Sequence, residues 1–415
     1  MTISALPRQP AGPQHPAGPQ HPAGPRHPGG LAARLGAFYA ASFLVVGIQL
    51  PFWPVWLAGR GLDAQAIAIV FAAAIWAKVV ATPLLGALAD RLGRRRAVMI
   101  GLAAAACAAY AGLWPVWGWW PLLALNLAAG VAQSALMPLG DSITLAAVRE
   151  EGLDYGRIRV WGSLSFILAS VGSGALIAFN SSGSSPSGPA DNQILLLVLA
   201  ASTVLVLASI GIPPAIRHAG IGRSRWVALG LLAADRRFWL FVVSAAALQS
   251  SHQLYYGFGT LYWRGLGFSD AVIGALWAEG VVAEIVLFWY SAPLLARFGP
   301  LGLMALGGVA GIVRWSLMGV LPGLGAAAGL QLLHALTFGA SHLGAMHFMA
   351  RSVPPSVAAS AQSLYAALSA GLGSGLVMLV AGALYADYGG QAYPFMALLS
   401  AAGLVGVWQL RRAAP

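Results

Sequence analysis

From residue 31 to residue 410 the chain is a succession of twelve apolar runs parted by short polar gaps. They lie at about 31–57, 64–89, 97–117, 119–147, 158–179, 193–213, 237–262, 270–296, 300–320, 322–350, 357–384 and 391–410. An α-helix needs about 20 apolar residues to cross a hydrocarbon core, and each run approaches or exceeds that length. Lipid offers the backbone no hydrogen-bond partners, so runs of this kind call for helices. The expectation is an all-α membrane protein with twelve transmembrane helices. Composition agrees: 8% of residues are charged, against about 25% in soluble domains.

Several function classes are disfavoured at once. The net charge of +11 could suggest a nucleic-acid partner, but the arginines sit in the gaps between apolar runs, which points to the membrane surface and to no nucleic acid. The single cysteine, Cys107, lies inside an apolar run, so neither a disulfide framework nor a cysteine metal site is expected. No nucleophile–base–acid arrangement, phosphate loop or metal-ligand spacing is present. The chain is therefore not expected to be an enzyme or to carry a cofactor or metal. The lipid bilayer and a small-molecule substrate are the expected partners, and a monomer the expected state.

The polar gaps organise the rest. Residues 1–30 are of low complexity, with His-Pro-Ala-Gly-Pro at 15–19 and again at 21–25, and read as a disordered tail. The longest gap, 214–236, divides six spans at 31–213 from six at 237–411. Of 23 Lys and Arg residues, 19 fall in the tail, the C-terminus or the loops of one parity, so both termini are expected on the cytoplasmic side of the inner (plasma) membrane. The halves also repeat at an offset of 206 residues: Trp56-Leu57-Ala58-Gly59-Arg60-Gly61 meets Tyr262-Trp263-Arg264-Gly265-Leu266-Gly267, and Leu88 to Gly93 meets Leu294 to Gly299. Two pseudo-symmetric six-helix bundles place a ligand site between them near the midplane.

Charge inside a span is costly and usually faces a cavity or a partner. Lys78, Asp141, Glu279, Glu284 and Arg314 are such residues, with Arg157 and Arg159 at the start of the fifth span. Lys78 and Glu284 are themselves 206 apart. His252 and His334 add titratable groups, whereas His342 and His347 approach a span end and suit a structural role. Among the aromatics, Trp53, Trp56 and Trp263 fit an interfacial belt. Trp161, Tyr256 and Tyr365 lie deeper and could stack on a ring. A ring plus a cationic anchor describes a small aromatic acid, held by Lys78 or Arg159, with arginine favoured for two-point contact. A pyranose, stacked on aromatics and bonded to an Asp/Arg pair, fits too.

Two strings carry a family resemblance. Gly86-Ala87-Leu88-Ala89-Asp90-Arg91-Leu92-Gly93-Arg94-Arg95-Arg96, between the second and third spans, resembles the Gly-x-x-x-Asp-Arg-x-Gly-Arg-Arg loop of the major facilitator superfamily. Leu153-Asp154-Tyr155-Gly156-Arg157-Ile158-Arg159-Val160-Trp161-Gly162-Ser163 is similar to the phenylpropionate permease branch and, more distantly, to the lac permease family. So are Leu50 to Leu57, Tyr255 to Phe258 and Gly280 to Glu284. The resemblance implies a secondary transporter working by alternating access. It implies a loop that governs the conformational change, through Gly86, Asp90, Arg91, Gly93 and Arg94, with Asp90 and Arg94 as a latch. Lac permease roles fall on Asp141 and Arg159 for substrate, with Glu284, on Arg314 for coupling and on His334. The acid expected three residues after that histidine is Thr337, so a proton would have to travel by Asp141, Glu279 or Glu284. The full expectation is a proton-coupled permease for an aromatic monocarboxylate. Lys78, Asp141, Arg159, Trp161, His252, Tyr256, Glu284 and Tyr365 would meet the substrate, and Asp141 would pair with Arg159 when the site is empty. The alternatives are a sugar or nucleoside symporter, or a transporter-like receptor.

Overall fold

The computed structural model describes residues 28–181, 190–213, 234–354 and 357–412. Most of the expected tail and linker, and the 182–189 loop, lie outside them. The described residues form twelve spans, which we number α1–α12. The N-terminal half comprises α1 (Pro28–Gly59), α2 (Ala64–Leu92), α3 (Arg95–Gly112), α4 (Trp119–Ser134, resuming after Ala135 as Leu136–Glu151), α5 (Tyr155–Ser181) and α6 (Ala190–Gly211). In the other half, α7 is Arg236–Ser250 and Gln253–Gly265, and α8 is Asp270–Trp289. The helix Ser291–Met318 is broken at Gly299, so residues 291–298 prolong α8 and 300–318 form α9. α10 runs from Leu324–Leu332 through a π turn, Ala335–Ala340, into Ser341–Ser352. α11 likewise joins Ala358–Ala366 to Ser374–Tyr388 through the π turn Ala367–Gly373, and α12 is Tyr393–Arg412.

Nine of these spans fall in eight continuous helical stretches long and apolar enough to cross a membrane on length and composition. The other three have visible reasons to fall short. α3 opens on Arg95-Arg96, and α7 and α10 are interrupted midway. The interruption in α7, at Ser251-His252, is held by Trp315 Nε1 donating to Ser251 Oγ (3.1 Å) and Ser251 Oγ donating to the Leu248 carbonyl (2.7 Å).

The internal repeat is written into backbone geometry. Gly61 and Gly267 both have φ of 84°, and Gly93 and Gly299 have 62° and 67°; each pair is 206 residues apart. Asp63 and Ser269, at the same offset, both cap the following helix with a side-chain oxygen. A positive φ suits glycine because it has no Cβ, so one turn chemistry serves both halves.

Between the halves, α5 crosses α8 where Gly174 lies against the Asp270 carbonyl and Gly274 against the Ser170 carbonyl. α11 lies along α2 through Gly371 on Val79, Gly375 on Trp76 and Gly382 on Ala68. Small residues allow this close approach, which in lipid is where helix attraction comes from. The contacts concentrate on the face carrying the 60–63 and 266–269 loops. Toward the 86–96 face, Leu136–Glu151, Arg236–Ser250, Ser341–Ser352 and Ala358–Ala366 pack chiefly within their own halves. The molecule is thus closed on one face and parted on the other.

Candidate functional site

Between the halves lies a cavity of about 390 Å³. Helical periodicity explains its walls, since residues three or four apart share a face. α1 contributes Val46, Gln49, Leu50 and Trp53, and α2 contributes Val70, Phe71, Ala74, Ile75 and Lys78. From α4 come Asn126, Gly130 and Gln133; from α7, Gln249, Gln253 and Tyr256; from α11, Ala370, Ser374 and Met378, the first of these in its π turn. Tyr110 closes the α3 side.

Among the described residues, Lys78 is the one charged residue in this wall. Its side chain is exposed to the cavity, beside Gly130, and its ammonium has no hydrogen-bond or ion-pair partner among the described residues. Two wall amides are already engaged. Asn126 accepts from Trp53 Nε1 (2.8 Å) and donates to the Leu122 carbonyl (2.7 Å), and Gln49 donates to the Tyr110 hydroxyl (2.5 Å). Trp53 stacks on Trp56 with ring centroids 4.6 Å apart. Among the described residues the cavity therefore presents one cation, neutral amides and aromatic side chains, with no carboxylate in its wall.

Of the residues expected to meet a substrate, Lys78 and Tyr256 line this cavity and the others do not. Asp141 accepts hydrogen bonds from Tyr39 (2.5 Å) and Tyr155 (3.1 Å), not from Arg159. The expected Asp141–Arg159 pair is replaced because Arg159 lays its guanidinium on the rings of Phe43 (4.1 Å) and Tyr39 (5.4 Å). Trp161 is 55% exposed and lies against Gly36 near the start of α5, a helix that contributes no described residue to the wall. Tyr365 stacks on Phe241 (5.6 Å) inside the C-terminal half. Glu284, on α8, faces Gly339 of α10. Neither Glu284 nor Glu279 has a hydrogen-bond partner among the described residues. Glu284 is near enough to Arg159, across the two halves, for their charges to interact.

A second polar cluster is sealed inside the C-terminal half. Arg314 is fully buried. It donates to His334 Nδ1 (3.1 Å), Thr337 Oγ1 (3.1 Å) and Gln331 Oε1 (2.5 Å), and lies over the rings of Trp315 and Tyr255. Gln331 in turn donates to the Tyr255 hydroxyl and the Leu276 carbonyl, both at 2.8 Å. His252, placed at the break in α7, meets Thr337 Oγ1 (3.1 Å) and the Gln249 carbonyl (3.2 Å). It belongs to this cluster, not to the cavity wall. Because Arg314 donates to Nδ1 of His334, that ring is assigned as neutral with its proton on Nε2.

In the 86–96 loop, Asp90 pairs with Arg95 (2.6 Å). Arg95 also reaches Ser142 of α4 (2.7 Å), and Arg96 donates to the Ile210 carbonyl at the end of α6. Arg91 and Arg94 are exposed, and Gly93 caps α2 in the left-handed conformation. The residues that tie this loop to its bundle are thus Arg95 and Arg96.

The family model described as "MFS_1 like family" matches residues 32–397. A probable 3-phenylpropionic acid transporter of Escherichia coli K12 is 31% identical over 87% of this chain and 93% of its own length. The chain belongs to the major facilitator superfamily. It shares with that family a multi-pass membrane architecture and the role of secondary transporter. A maltose permease of Geobacillus stearothermophilus is 30% identical over 89% of this chain and 91% of its own. Among solved structures, the nucleoside transporter NupG superposes with a TM-score of 0.77 at 20% identity, over 92% of this chain and 98% of that one. A bacterial homologue of the lysosomal transporter Spinster, inward-facing and unoccupied, gives 0.72 at 12% identity, over 93% and 97%. These likenesses establish the major facilitator fold.

Sequence reasoning passed over most of the facilitator's cavity wall. Trp53, which its position near a span end places in the interfacial belt, is 5% exposed and lines the cavity. Trp56 and Trp263 are buried as well. Gln49, Asn126, Gln133, Gln249 and Gln253 carry a signal a charge search ignores: amides within apolar runs, at helical spacing.

Proposed function

We propose that the chain imports a small aromatic monocarboxylate, of the 3-phenylpropionate kind, across the inner membrane together with a proton. Residues 31–213 and 237–411 are the two moving bundles, 1–30 is a cytoplasmic tail, and 214–236 is the linker. Both termini are cytoplasmic, the 86–96 face opens inward, and the working unit is a monomer.

The observation that carries this reading is Lys78, among the described residues a lone cation in a wall with no acid. A cation near the middle of a membrane is unfavourable by about 2.5–3.5 kcal/mol on insertion scales. A carboxylate substrate would pair it, and a neutral sugar or nucleoside would leave it unpaired. Trp53, Phe71 and Tyr256 offer faces to a ring. The relative in Escherichia coli is named for such an acid. For the proton, Glu284 and Glu279 are the favoured carriers, since Asp141 already holds two tyrosine hydroxyls.

The test is uptake into proteoliposomes from a panel of labelled 3-phenylpropionate, maltose and uridine, with and without an inward pH gradient. Uptake of the aromatic acid alone, driven above equilibrium by the gradient, is expected. Uptake of a neutral solute in its place contradicts the substrate class. Binding of 3-phenylpropionate without any uptake would mark a receptor.

A further inference from the structure

Three amides in the cavity have side chains with no hydrogen-bond partner among the described residues: Gln133 on α4, and Gln249 and Gln253 on α7. The last two stand one helical turn apart, astride the break at Ser251-His252, and Tyr256 continues the same face. Gln253 is 6% exposed overall. The residue nevertheless lines the cavity, the nearest open space from which its unpartnered amide can take a partner. Lys78 and Gln133 belong to the N-terminal half, and Gln249 and Gln253 to the C-terminal half. The cavity thus draws its cation from one bundle and two neutral donor–acceptor amides from the other, with Trp53, Phe71 and Tyr256 also in its wall.

A bare phenyl ring satisfies the cation and the aromatic walls but leaves these two amides facing hydrocarbon. An unpaired, desolvated polar group costs about 1–3 kcal/mol. Sites built to hydrogen-bond a substrate hydroxyl discriminate strongly against the analogue that lacks it. A glutamine amide carries donors and an acceptor, so it matches a hydroxyl, which is also both. We infer that the preferred substrate is a ring-hydroxylated aryl carboxylate, its carboxylate on Lys78 and its hydroxyl on Gln253 and Gln249. This deepens the substrate assignment above and rests on it. It also gives the ligand a grip on both bundles.

The experiment is competition binding on the full-length purified protein, with 3-phenylpropionate and its 3-hydroxyphenyl and 4-hydroxyphenyl counterparts. Wild type should bind at least one hydroxylated acid about tenfold more tightly than the bare acid. Gln253→Leu should erase that gain, so that the ratio of the hydroxylated to the bare acid's affinity falls to within about twofold of one. Gln249→Leu, as a second variant, should reduce the gain in the same direction. Equal affinities in wild type overturn the role of the amides alone, as does a gain that survives in both variants. Failure of all three acids to bind overturns the anion reading and this inference with it.

Discussion

Lys78 and Arg314 are both cations inside apolar spans, and the molecule treats them in opposite ways. Arg314 is fully buried, with Gln331, His334 and Thr337 accepting its protons and two aromatic rings packed on its faces. Lys78 has no such cage and opens onto the cavity. The acids divide in the same manner. Asp141 is held by two tyrosines, while Glu279 and Glu284 lack hydrogen-bond partners among the described residues. An intramembrane charge is therefore not a site in itself. What separates a structural charge from a working one is whether the fold already supplies its partners.

The largest effect that could break this contrast comes from neutralising the two cations. Arg314→Gln should orphan several buried acceptors, at about 1–3 kcal/mol each. We expect a clear fall in the thermal midpoint and poor yield in detergent. Lys78→Gln should leave the midpoint within a few degrees and weaken 3-phenylpropionate binding about 10- to 100-fold, the value of one hydrogen bond to a charged group. If Lys78→Gln unfolds the protein while Arg314→Gln is tolerated, the contrast is reversed.

A middle-sized effect separates the acids. Glu284→Gln should retain substrate exchange but lose accumulation driven by a pH gradient, measured in the same proteoliposomes. Asp141→Asn should keep gradient-driven accumulation and lose thermal stability, because its work is to hold Tyr39 and Tyr155. Accumulation intact in Glu284→Gln but lost in Asp141→Asn would move the proton to α4.

How much of this was readable in advance follows the same physics. Hydropathy reports long apolar runs, so the twelve spans and the 206-residue repeat were legible, down to paired glycines at turns. It also flags charge, so Lys78 stood out. It does not say which charges have partners: the Tyr39 and Tyr155 hydroxyls come to Asp141 from α1 and α5, and a three-dimensional meeting leaves no local signature. Amides such as Gln249 and Gln253 disturb hydropathy too little to be noticed. Their grouping depends on the break in α7, which an apolar run conceals. Trp53 departs from the expectation because closeness to a span end does not say which face of the helix a ring occupies.

The smallest effect concerns the loop. The Asp90–Arg95 pair is partly exposed, where such a pair contributes about 0–1 kcal/mol to stability. Asp90→Asn should barely move the thermal midpoint or substrate affinity, yet slow transport if this loop governs the conformational change. A wild-type transport rate at equal expression would leave the loop as a structural tie alone.

If the Lys78 ammonium takes the substrate carboxylate, the bound acid shields it, and the chain offers a direct way to see this. Lys78 is the only lysine in the sequence. Treating the purified protein with an amine-directed acylating reagent and mapping adducts by peptide mass spectrometry isolates this one side chain from the terminal amine. Saturating 3-phenylpropionate should suppress Lys78 modification about tenfold or more, while equal concentrations of maltose or uridine leave it unchanged. Undiminished modification in the presence of 3-phenylpropionate, in a preparation that demonstrably binds it, would contradict the account.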